Sequence, residues 1–149
     1  MSKSQHVVFS GGAVEIGSVG KVMLSKSGYW TVVVGDVAYE LINDRDYFRA
    51  LILLEADRPE LASVLAELEG SGHAAFPIEK VIASAFLGGA DYWAALALDW
   101  IDELAFEKKL LLVDHLKQVV DAKWAHQHTR QLATKALRAI QAVGQNNGG

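Results

Sequence analysis

The apolar pattern of this chain changes period at Ile42, and that change limits the available folds more than any other feature. Before it, short β-branched or aromatic runs stand between Gly or Ser residues: Val7-Val8-Phe9, Val14-Glu15-Ile16, Lys21-Val22-Met23-Leu24 and Tyr29 to Val34. Such runs read as short antiparallel strands. Gly35-Asp36 separates Val34 from Val37 to Ile42, and a glycine there supplies the positive φ of a type II′ hairpin turn. Beyond Ile42 the spacing moves towards 3.6, the helical period.

The expectation is an α+β fold in one domain, residues 1–149. An N-terminal antiparallel β-meander of four to five short strands covers about 6–42, a C-terminal bundle of five to six helices about 44–143, and a frayed tail 144–149. Punctuation residues set the helix ends. Asn43 or Asp44 caps a helix through Glu55, Asp57 and Pro59 open one ending at Gly70-Ser71-Gly72, and Pro77 opens a third that Gly88-Gly89 stops. Later, Trp93, Leu96, Trp100, Ile101 and Leu104 form an amphipathic stripe, repeated by Leu112 to Val120 and by Leu132 to Val143. Short joints near Ala105-Phe106 and Ala125-His126 imply helix pairs.

With 51% apolar residues, 21% charged and two prolines, the chain is neither disordered nor low in complexity. The absence of cysteine excludes thiol catalysis, disulfides and cysteine-based zinc sites. Met1 to His6 lacks the apolar core of a secretory signal, and Val81 to Ala90 is too short for a span of about 20 residues. A soluble cytoplasmic protein with no membrane partner is expected.

Net charge is −4, unevenly spread: residues 36–107 carry four bases against fifteen acids, and residues 108–149 seven bases against two acids. Phosphate binding needs clustered Lys and Arg, so nucleic acid is not the expected partner of the acidic part. A basic protein fits it better.

Catalytic and cofactor motifs fail in detail, so no cofactor or metal is expected. Ser10 to Lys21 is glycine-rich, but a P-loop ending at Gly20-Lys21 needs Gly where Glu15 stands and Ser or Thr where Val22 stands. The histidines, at 6, 73, 115, 126 and 128, lack metal-ligand spacing. No Gly-x-Ser-x-Gly elbow supplies a nucleophile. Asp99 and Glu103 share a helical face, yet a solvated acidic face explains them without a substrate. Asp91, Asp99, Asp102, Glu103 and Glu107 are therefore read as a partner-binding surface. Trp30 joins this set, because alternation sends Tyr29 and Trp30 to opposite faces and one of them should meet solvent.

Two segments, DYWAALALDWIDEL from Asp91 to Leu104 and KWAHQHTRQLATK from Lys123 to Lys135, resemble small bacterial immunity proteins encoded beside polymorphic toxins. In those proteins a Tyr-Trp-rich helix is followed by a Gln-x-x-Arg helix start, matched here by Gln127 and Arg130. Where they often carry His next, this chain has Gln131. The likeness covers about residues 76–142 and implies occlusion of a cognate toxin with no reaction catalysed; the acidic charge independently fits a toxin with a basic active-site cleft. A generic adaptor or homodimer is the alternative, and a small hydrolase joining acids to His115 or His126 ranks behind it.

Overall fold

The computed structural model describes residues 5–10, 12–18, 20–70 and 75–147. Ser71, Gly72 and His73, named above as helix-end and histidine positions, lie outside them, as do Gly11 of the glycine-rich stretch and Gly148 and Gly149 of the expected tail. The architecture is α+β: five strands, then six α-helices and two 3-10 segments among the described residues. The residues gather into two compact units, Met1–Val81 and Ile82–Gly149.

In the first unit, β1 (Val7–Ser10), β2 (Ala13–Ile16), β3 (Gly20–Leu24), β4 (Trp30–Val34) and β5 (Val37–Glu40) form an antiparallel meander in sequence order. Gly35 takes φ +61° between β4 and β5 while Asp36 stays at negative φ, as a II′ turn requires. Register places Phe9, Val14, Val22, Val32 and Tyr39 in one row and Leu24, Trp30 and Leu41 in another on the same face. Val14, Val22, Trp30, Val32 and Leu41 are buried there. Glu15 stands opposite Lys21 on the other face. At Gly20 the strands come so close that a Cβ would sit 2.8 Å from the Val33 carbonyl oxygen.

Asp44–Glu55 is a 3-10 segment where a helix of period 3.6 was expected. Tyr47, Ala50, Leu53 and Ala56 are all buried, and a spacing of three aligns them on one edge of a 3-10 helix. At its start the Asp46 carboxylate accepts from the Asn43 and Ile42 N–H groups at 2.8 and 3.0 Å, which holds its pKa below the ordinary aspartate value. Helix α1 (Arg58–Gly70) opens as expected, with Asp57 accepting from Glu60 N–H at 3.0 Å. Its Glu60 also binds β1: the carboxylate meets His6 Nδ1 and Val7 N–H, each at 3.1 Å. Those contacts hold Glu60 below the usual glutamate value. Tyr47 and Trp30 both contact the Phe76 ring, and Lys80 pairs with Asp44 at 3.1 Å.

Helix α2 (Ile78–Leu87) ends at Gly88-Gly89 as expected, with Gly89 at φ +75°. The second unit continues with α3 (Asp91–Trp100), a 3-10 turn (Ile101–Glu103), α4 (Phe106–Leu110), α5 (Val113–Val120) and α6 (Gln127–Asn147). Helices α3, α4 and α5 each pack against α6. Ala97, Trp100, Ile101, Leu116, Val119, Ala133 and Ile140 are buried. Helix α6 runs through Gly144 to Asn147, into the segment expected as the tail. None of the described helices is long and apolar enough to cross a membrane.

Candidate functional site

The acidic residues proposed for partner binding divide into two groups in the structure. Asp91, the first residue of α3, is turned to the start of α6. Its Oδ1 accepts the His126 N–H at 2.8 Å, and its Oδ2 lies 3.2 Å from His126 Nδ1. Burial raises the Asp91 pKa, but hydrogen bonds from the Thr129 side chain and the His126 N–H outweigh it and hold the group below the ordinary aspartate value. One carboxylate thus faces the N-terminal ends of two helices, where the backbone N–H groups favour negative charge. With its side chain 20% exposed, Asp91 ties the start of α3 to the start of α6, which sets it apart from the exposed acids expected with it on a binding surface.

Asp99, Asp102, Glu103 and Glu107 are all exposed. Asp99 lies on α3; the helix expected to continue to Leu104 gives way at Ile101 to the 3-10 turn that carries Asp102 and Glu103. Leu104 is extended, and Glu107 follows in α4. Between Ile82 and Glu107 the chain has five acids and no Lys or Arg, whereas from Lys108 onward it has seven bases and two acids. This polarity belongs to the second unit itself, whose two totals are equal.

The solvent-facing position expected of Trp30 is corrected. It is 7% exposed and meets Phe76 edge-on at 5.2 Å between ring centres, so it belongs to the core. Tyr29, its neighbour, is the residue that faces solvent. The tryptophans of α3 differ from one another: Trp100 is buried, and Trp93 is half-buried against the ring of Tyr92 at 4.9 Å.

Tyr92 is the residue that the sequence reading missed. It is 49% exposed and stands seven positions before Asp99. Two helical turns bring both onto one face, so an aromatic ring heads the acidic stripe. The signal was available in the spacing, but Tyr92 interrupts a stripe whose tryptophans drew the reading to the core.

Near the end of the stripe, a hollow of about 90 Å³ is lined by Ile101, Asp102, Phe106, Lys109, Ile140 and Val143, among others. A wider recess at the sheet end, about 270 Å³, is lined by Glu15, Ser18, Gly20 and Lys21 among others. Neither is lined by Asp91 or His126. No group of three His, Asp or Glu side chains among the described residues is placed to hold a metal ion. His115 Nδ1 is buried without a hydrogen-bond partner among the described residues.

Compared with family models, curated proteins and solved structures, the chain matches none at a significant level.

Proposed function

We propose that this chain is a non-catalytic, cytoplasmic immunity-type protein that binds a cationic toxin and occludes its active-site cleft. The binding surface runs from Tyr92 and Asp99 on α3 through Asp102 and Glu103 to Glu107 on α4. One observation carries the reading: residues 82–107 hold acids without a single Lys or Arg, and four of those five acids are exposed beside an exposed tyrosine. Tyrosine is enriched among the residues that dominate binding energy, and clustered charge speeds association with an opposite partner. The resemblance of residues 76–142 to immunity proteins supplies the class of partner, and the charge pattern supplies its sign.

The test is to purify the chain with the protein encoded by the neighbouring gene and titrate one against the other. Full inhibition of the toxin at one-to-one stoichiometry, weakened by added salt, is expected. No complex, or inactivation of many toxin molecules by one copy of this chain, overturns the reading. A stable homodimer that buries Tyr92, detected by light scattering, decides for the interaction-domain alternative.

A second reading, a small hydrolase, draws on the Asp91–His126 pair, since a carboxylate that orients an imidazole is part of many general-base arrangements. The same carboxylate is committed to the α6 N-terminus, and a helix joint accounts for its contacts. Turnover of an ester by the purified chain that His126→Gln abolishes would decide for the hydrolase.

A further inference from the structure

We draw no further inference here: the strongest candidate, the apolar hollow between the 101–103 turn, α4 and α6, has Asp102 and Lys109, of opposite charge, among its lining residues, and nothing in the structure shows what covers it.

Discussion

Replacing Asp91 with alanine should destabilise the second unit far more than removing any of the exposed acids. The substitution takes away the acceptor of the His126 N–H at the start of α6, a capping loss of about 0.5–2 kcal/mol. It also strips a partner from the Thr129 hydroxyl, which is 2% exposed, and an unpaired buried hydroxyl costs about 1–3 kcal/mol. Together these give about 1.5–5 kcal/mol. At a urea dependence of roughly 2 kcal/mol per molar, the unfolding midpoint falls by about 0.8–2.5 M. Tryptophan fluorescence and circular dichroism, followed together, are the assay, because Trp93, Trp100 and Trp124 all report on residues 82–149. Asp102→Ala, at an exposed site, should change stability by no more than about 0.5 kcal/mol. Asp91→Asn keeps a capping oxygen and loses the charge, so it should fall between the two. The pH dependence has a fixed sign. Because the folded-state pKa of Asp91 lies below 3.8, the charge stabilises the fold above that pH, and the benefit is lost as pH falls through the folded value. The advantage of the native aspartate over the Asp91→Asn variant should therefore shrink below pH 3.8. If Asp91→Ala costs no more than Asp102→Ala, the helix-joint account is wrong.

Three further outcomes are expected. Trp30→Ala should cost about 3–5 kcal/mol in urea unfolding while Tyr29→Ala costs under about 1, since the first is core and the second exposed. Gly20→Ala should lower stability by about 1–3 kcal/mol, because the new methyl meets the Val33 carbonyl oxygen at 2.8 Å; an unchanged midpoint would show that the strands can part there. Tyr92→Ala should raise the dissociation constant for the partner by at least about tenfold with little change in unfolding midpoint, and equal calorimetric affinities would remove Tyr92 from the surface.

How much of this could be read from the sequence depends on whether the governing contact is local. The strands were legible because alternation and bounding glycines are local signals, and β1 to β5 fall within one or two residues of the expected runs. The capping residues of the Asp44–Glu55 segment read as those of an ordinary helix, although Tyr47, Ala50, Leu53 and Ala56 stand three apart and mark the tighter 3-10 period. Trp30 was misplaced because alternation separates two faces without saying which is covered. Phe76, which packs on it, lies forty-six residues away. Asp91 looked like its acidic neighbours; only its contact with His126, thirty-five positions on, distinguishes it. Asp99, Asp102, Glu103 and Glu107 were placed on the surface and are exposed, because charge alone disfavours their burial.

The association rate between the toxin encoded beside this chain and an Asp99→Lys, Asp102→Lys, Glu103→Lys variant tests the central claim most directly. With folding verified by an unchanged circular dichroism spectrum, the account predicts an association rate at least about tenfold slower at low salt, converging with the native rate as ionic strength rises. Equal rates at every salt concentration would contradict it and remove the acidic face from the interface.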